Sequence, residues 1–397
     1  MINIENPADC CGCTACMSIC GKHAITMKAD EYGFLYPTVN IDKCTDCGLC
    51  DVTCPVKYRK VQNTYESTIK NAFAVRLKDV VDLNNSSSGG AFWGIVQYVI
   101  GKSGVVCGAT YNEDMQVIHK IAYTLEESRQ FQGSKYSQSN ISGIYQKIKR
   151  LLNTGRLVLF SGTPCQNDGL LRYLRKQYSN LITVDIICHS IPSPRYFRDY
   201  LSRIEKNQKK VIVDIKMRDK SLGWGKDSYV YKFSDGNSVH NPSDIKCWQL
   251  IFESGYITRD SCFECQYTNK RRVTDFTIGD FWDFGKLRTD IYSEKGTSVL
   301  FVNTSKANDL FKKIKDSFYC WSIKPEEYEQ PRLTTHLNRP QQYFDFKSIY
   351  VKKGFKASYD KYFAIRPSLC FRCKYLFLRL LSKLSKKIHE SRHFNIP

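Results

Sequence analysis

Two stretches decide the fold: Cys10-Cys11-Gly12-Cys13-Thr14-Ala15-Cys16-Met17-Ser18-Ile19-Cys20 and Cys44-Thr45-Asp46-Cys47-Gly48-Leu49-Cys50-Asp51-Val52-Thr53-Cys54-Pro55. Each carries the spacing C-x2-C-x2-C-x3-C. Three closely spaced thiolates cap three irons of one cubane, and the fourth is set to reach a second cube. The spacing therefore assigns Cys10, Cys13, Cys16 and Cys54 to one 4Fe–4S cluster, and Cys44, Cys47, Cys50 and Cys20 to another. A pair of zinc sites is the alternative, and the duplicated spacing disfavours it. The first copy ends on Gly21 where the second has Pro55; proline shapes the turn and is not a ligand. Cys11 is an extra thiol, either without a role or packed beside the cluster.

Residues 1–60 show little long hydrophobic periodicity, as expected of a small module in which metal replaces a core. They read as a bacterial-ferredoxin-like domain with two clusters. Nine of the 18 cysteines precede Pro55. Met1–Asp9 lacks the cationic start and apolar stretch of a secretory signal. Clustered thiols in a reducing compartment read as metal ligands. A cytoplasmic location is expected. With 397 residues, 42% hydrophobic and 13% aromatic, the chain is long enough for two or three domains and apolar enough to bury a core. Its longest apolar stretch, Ala91–Ile100, is about half a membrane span.

After a linker at 61–70, helix and strand signals alternate. Helices are expected at Gly90–Ile100, Gln166–Arg175 and Pro194–Lys206. Ile141, Ile144, Tyr145, Ile148, Leu151 and Leu152 share another helical face. Strands are expected at Val105–Tyr111, Arg156–Phe160, Leu181–Cys188, Val273–Ile278 and Ser298–Asn303. A hairpin turns at Ser234-Asp235-Gly236-Asn237. The order predicts an α/β domain over 71–330 with a central sheet, in a chain that is α+β / α/β as a whole.

Ser86-Ser87-Ser88-Gly89-Gly90 opens a helix, where small residues and free N–H groups favour phosphate; a plain flexible loop is the other reading. Gly162-Thr163-Pro164-Cys165-Gln166 joins a strand to a helix, and Cys188-His189 ends the next strand. Ligands of open α/β sheets bind at such strand ends. Cys262 and Cys265 form a C-x2-C pair. With Cys165 and Cys188 they supply four thiols for a third cluster, or they are buried free cysteines. His189 reads as a general acid, a cofactor contact or a structural histidine. Cys370 and Cys373 have no second pair and read as incidental thiols.

The formal net charge is +20. Residues 1–60 hold six Lys/Arg and seven Asp/Glu, whereas residues 346–397 hold thirteen and two. Two clusters at about −2 each would leave about +16. Such a body attracts anions: an acidic redox partner such as ferredoxin or flavodoxin, a phosphorylated cofactor, an acidic sugar, or anionic lipid, and the substrate is expected to be a small molecule or sugar. No nucleic acid is expected. Residues 331–397 read as a basic tail. Leu376, Phe377, Leu380, Leu381, Leu384 and Ile388 form an apolar stripe there, flanked by Arg379, Lys383, Lys386 and Lys387. That helix either folds back on the body or anchors the protein peripherally at the inner face of the membrane.

Several stretches together resemble one family: Ser86–Ala91, Gly133-Ser134-Lys135-Tyr136, Phe160–Gln166, Val184–His189 with Pro192-Ser193-Pro194, and Thr277–Trp282. They resemble the beta-subunit family of deazaflavin (coenzyme F-420) hydrogenases and dehydrogenases, from about Asn71 to Phe318, behind a two-cluster ferredoxin module. The resemblance implies a flavin, usually FAD, and iron–sulfur clusters that exchange electrons with a two-electron partner. It makes Ser87, Ser88, Gly89, Gly90, Ser134, Lys135 and Thr163 candidate flavin contacts. Lys135 is the best candidate for charge near the flavin, and Lys135 and His189 are the candidate catalytic residues. It also makes Cys165, Cys188, Cys262 and Cys265 ligands of an inner cluster. Similar fused chains include reductases that use no deazaflavin, some beside surface-polysaccharide genes. A deazaflavin-dependent dehydrogenase and a non-catalytic electron-transfer adaptor are the rival readings. Ser190 departs from the family, which often has glycine there.

Overall fold

The computed structural model describes residues 1–61, 69–226, 228–282 and 288–364. In the N-terminal module the duplicated sequence gives duplicated structure. Short helices Ala15–Ile19 and Leu49–Thr53 carry the third cysteine of each motif and end on the fourth. Each starts from a left-handed residue, Thr14 (φ 62°) and Gly48 (φ 70°). Between them β1 (Ile25–Ala29) and β2 (Leu35–Val39) form an antiparallel ribbon. The module's own apolar core is small: Ile2, Ile25 and Val56 around Cys16, Cys50 and Cys54. So few side chains would hold little structure without bound metal.

The body begins with β3 (Asn71–Leu77), β4 (Val105–Tyr111), β5 (Val117–Ala122), β6 (Val158–Gly162) and β7 (Leu181–Ile186). A separate antiparallel sheet follows, β8 (Ile212–Met217), β9 (Tyr229–Phe233) and β10 (Ser238–His240). Then β11 (Phe276–Asp280), β12 (Ser298–Val302) and β13 (Phe318–Ser322) rejoin the first sheet, whose order is β13-β3-β12-β11-β7-β6-β4-β5. Its centre, β4-β6-β7-β11, is parallel. The flanking pairs are antiparallel.

Period-2 alternation sends Val158 and Phe160 to one face and Leu159 to the other. Helices Ala91–Gly101 and Ser305–Ile314 cover the Leu159 face; Ile144–Asn153 and Pro164–Leu174 cover the opposite one. Because both faces are covered, the central strands read as continuous apolar runs.

The sequence reading places β4 at its observed bounds and shifts the other expected elements by a few residues. The boundary at 331 is not a boundary in packing. Helix Tyr343–Tyr362, interrupted at Gly354 (φ 79°), lies against Pro194–Gln208. Its Phe346, Tyr350 and Tyr359 join Tyr196, Tyr200 and Trp248 in one aromatic core. Leu376–Ile388, Cys370 and Cys373 lie outside the described residues. Among the described residues no helix is long and apolar enough to cross a membrane.

Candidate functional site

The first cysteine motif is turned inward. Burial raises the Cys16 thiol pKa, and the neighbouring Cys10 and Cys54 raise it further. Burial does the same at Cys54, again with Cys10 beside it. Cys54 thus sits among the thiols of the first motif. Helix Pro164–Leu174 lies against this set. A methyl group at Gly169 would stand 2.9 Å from Cys13 Sγ. Farther along the helix, the Arg172 guanidinium lies 3.1 Å over the Tyr58 ring. The second motif is turned outward: Cys47 is exposed, Cys20 and Cys44 are half-buried, and Cys50 is buried. Among the described residues no three His, Cys, Asp or Glu side chains gather as for a single metal ion.

The other four candidate thiols come together from three chain segments. β6 and β7 are parallel, so Cys165 and Cys188 emerge at the same edge of the sheet. Burial raises the Cys188 thiol, and Cys262, Cys165 and Cys265 add to the rise. Burial likewise raises Cys262, with Cys265 and Cys165 as its charged neighbours. A cavity of about 40 Å³ opens among Cys165, Cys262 and Cys265. Cys11 lines it too. Three arginines surround the set. Arg259 and Arg272 are buried, and Arg332 lies near Cys188 and Cys265. Among the described residues, Arg272 Nε and Nη2 find no acceptor. Four thiols with buried guanidinium donors suit a cluster of net negative charge.

A larger cavity, about 420 Å³, opens at the same edge beyond the end of β4. Ser86, Ser87, Ser134, Lys135, Thr110–Asn112 and β8 line it. Ser134 Oγ donates to Ser87 Oγ at 2.9 Å, joining the two loops that resemble the family. Arg218, also in the lining, makes a two-pronged pair with Asp280 at the end of β11, at 2.6 and 3.1 Å. Ser88, Gly89, Gly90 and Thr163 are not in this lining. Ser88 Oγ donates to Thr297 O at 2.8 Å. Gly89 is wedged between Val75 and Ser298, where a side chain would meet backbone. Gly90 starts the Ala91 helix in left-handed geometry (φ 79°). Thr163 caps the Pro164 helix, its N–H donating to Gln166 Oε1 at 3.0 Å.

Lys135 Nζ donates to the carbonyls of Gln130, Gln132 and Gly133 at 2.8, 2.7 and 3.1 Å. Burial lowers its pKa to about 7, while three carbonyl acceptors favour the charged form. The lysine therefore braces the cavity wall. His189 is held low, at about 4, by burial and by Arg332, whose Nη2 lies 3.5 Å from its Nε2. It is neutral at pH 7. Three rings run from beside Lys135 to beside Cys188: Tyr136 stacks on Phe252 with centroids 5.0 Å apart, and the His189 ring lies tilted against Phe252 at 4.9 Å.

Residues 155–328 match the family model that describes the C terminus of the Coenzyme F420 hydrogenase/dehydrogenase beta subunit. Residues 9–58 match a 4Fe-4S dicluster domain, so the chain is of iron–sulfur electron-transfer type. No curated protein matches the chain. A chain of the F420-reducing NiFe hydrogenase complex from Methanosarcina barkeri is similar at 16% identity and TM-score 0.46, over 74% of this chain and 91% of that one. The beta-subunit match takes in Cys165, Cys188, Cys262 and Cys265, and begins after the Ser86–Ala91 and Gly133–Tyr136 stretches. Within it, sequence reasoning missed Arg218, Arg259, Arg272 and Asp280. Only Asp280 carried a signal, as part of the Thr277–Trp282 motif.

Proposed function

We propose that the protein is an iron–sulfur flavin oxidoreductase that passes electrons between its clusters and a two-electron substrate. The supporting observation is that four converging thiols and a 420 Å³ cavity lie at one edge of the parallel strands, with the rings of Tyr136, Phe252 and His189 in contact from beside Lys135 to beside Cys188. Cys165, Cys188, Cys262 and Cys265 would hold an inner cluster. Ser87, Ser134 and Lys135 would line the flavin site, with Arg218 adding positive charge. A flavin, when bound, supplies the coupling of two-electron to one-electron chemistry. Neutral His189 would stay a hydrogen-bonding group between the sites. An acidic partner such as ferredoxin or flavodoxin would be drawn to the basic body and exchange electrons through the outward cluster. The resemblance extends the proposal to surface-polysaccharide metabolism.

Anaerobic purification with iron, sulfide and flavin quantitation tests this reading. About twelve irons and one flavin per chain are expected. No heat-released flavin after reconstitution would leave an electron-transfer adaptor. About eight irons would remove the inner cluster and leave Cys165 a buried or redox-active thiol. The family description favours a second reading, a deazaflavin-dependent dehydrogenase. Turnover with coenzyme F420 but with no other two-electron carrier would establish it.

A further inference from the structure

Arg259 is fully buried, yet the three acceptors bonded to its guanidinium are neutral. Nε donates to Cys10 O at 2.7 Å, Nη1 to Gln138 Oε1 at 3.0 Å and Nη2 to Leu35 O at 3.0 Å. Phe34 and Tyr36 lie under it, with ring centroids 5.3 and 4.2 Å from Cζ. Gln138 Nε2 donates in turn to Cys11 O at 3.3 Å. Gly12, which follows these two cysteines, has φ +71°, and a methyl there would stand 2.5 Å from Gln138 Nε2 and 3.1 Å from Arg259 Nη1. The motif's glycine therefore leaves room for the guanidinium to reach the cluster loop. From the other side, Cys262 N donates to Arg259 O at 3.0 Å, within the segment that carries Cys262 and Cys265. The thiols of Cys10, Cys11 and Cys262 are all charge neighbours of the guanidinium.

A buried cation with only neutral acceptors is costly unless anions stand nearby. Thiolate-ligated clusters carry net negative charge. We propose that Arg259 is the shared counter-charge of two clusters, the one on Cys10 and the inner one, and that it holds both at raised reduction potentials. The inner half rests on the function proposed above; the Cys10 half does not. The charge favours the reduced state, which is one unit more negative than the oxidised state. The guanidinium's hydrogen bonds and ring contacts go to Cys10, Gln138, Leu35, Phe34 and Tyr36, and none goes to Cys20, Cys44, Cys47 or Cys50.

The test is an EPR-monitored redox titration of the reconstituted full chain, as wild type, Arg259→Gln and Arg259→Lys, with iron counted in each. Signals are assigned by their loss in Cys10→Ser and Cys44→Ser variants. At a fixed potential, Arg259→Gln is expected to leave the Cys10 cluster at least tenfold more oxidised, about 59 mV for a one-electron couple. The Cys44 cluster is expected to stay within twofold, and Arg259→Lys near wild type throughout. An unchanged Cys10 cluster in Arg259→Gln at full iron content overturns the proposal. So does an equal fall in both variants, because then the fork's docking contacts act and not its charge. If Arg259→Gln loses iron, Arg259→Lys decides: a wild-type potential supports the proposal and a tenfold fall overturns it. About eight irons in the wild type would overturn the inner half and the third cluster together, with the Cys10 cluster still reporting on Arg259.

Discussion

The two cysteine motifs of the module have the same spacing and opposite surroundings. Cys10, Cys13, Cys16 and Cys54 face the body, packed against helix Pro164–Leu174 and the Arg259 guanidinium. Cys44 and Cys47 face outward. A cluster's potential follows its charge environment, hydrogen bonds and exposure. One inherits fixed protein charges and the other inherits solvent. Duplication of a motif therefore does not duplicate its chemistry; the fold that grew around one copy separates them.

The largest expected effects test the ligand assignment. Cys10→Ser and Cys54→Ser should damage the same cluster, because Cys54 sits among the first motif's thiols. EPR of each variant decides it: if Cys54→Ser removes the signal lost in Cys44→Ser, the crossed assignment is wrong.

Next comes Gly169→Ala. Its methyl would press on Cys13 Cβ and Sγ at 2.9 Å and on the Tyr145 hydroxyl, so the inward cluster should be weakened selectively by about 1–3 kcal/mol of overpacking. Iron loss on mild chelation, compared with wild type, measures it; equal loss from both clusters would erase the inward–outward distinction.

A comparable effect belongs to the body. His119 is buried, its Nδ1 2.7 Å from Ser139 Oγ and its Nε2 3.0 Å from Ser161 O, and burial holds its pKa at about 4 instead of 6.5. The unfolded chain takes up a proton that the folded body refuses. Stability is therefore full above pH 6.5 and falls as pH drops towards 4, by on the order of 3 kcal/mol. The gap between urea midpoints at pH 7 and 4.5 should narrow in His119→Asn, with His189 supplying a remainder; an unchanged gap would assign the acid sensitivity elsewhere.

The smallest effect is Gly48→Ala in the outward motif. The site is open, so only the left-handed backbone (φ +70°) resists, at about 1–2 kcal/mol, and the cluster should survive. Loss of the outward cluster in this variant, with no loss in Gly169→Ala, would invert the comparison.

The sequence made the module legible because ligand spacing is a local constraint. The central strands were legible for a related reason: β4, β6 and β7 are covered on both faces and read as apolar runs. Pairing was less so. β3 and β13 form an antiparallel edge between residues more than 240 positions apart, Leu77 opposite Phe318, and no local pattern encodes that partnership. Helix Tyr343–Tyr362 was missed because aromatic side chains around much of its girth, with a glycine break at 354, give no clean stripe. Of the candidate cofactor residues, Ser87, Ser134 and Lys135 reach the large cavity. Ser88, Gly89, Gly90 and Thr163 go to structural bonds and close packing. Arg259 could not be read at all: among 59 Lys and Arg, nothing beside it announces that it will be buried.

Asp260, next to Arg259, receives Lys347 Nζ at 2.7 Å and the Tyr343 hydroxyl at 3.1 Å. Lys347 also lies 4.5 Å over the Tyr32 ring of the module. The clasp that seats the cluster module is thus completed by residues almost 300 positions after its last cysteine. On a ribosome adding 5–20 residues per second, roughly 15–60 s separate the emergence of Cys54 from that of Lys347. For that interval the inward thiols have no lid, and a cell must load them, or keep them reduced and shielded, before the chain can close over them.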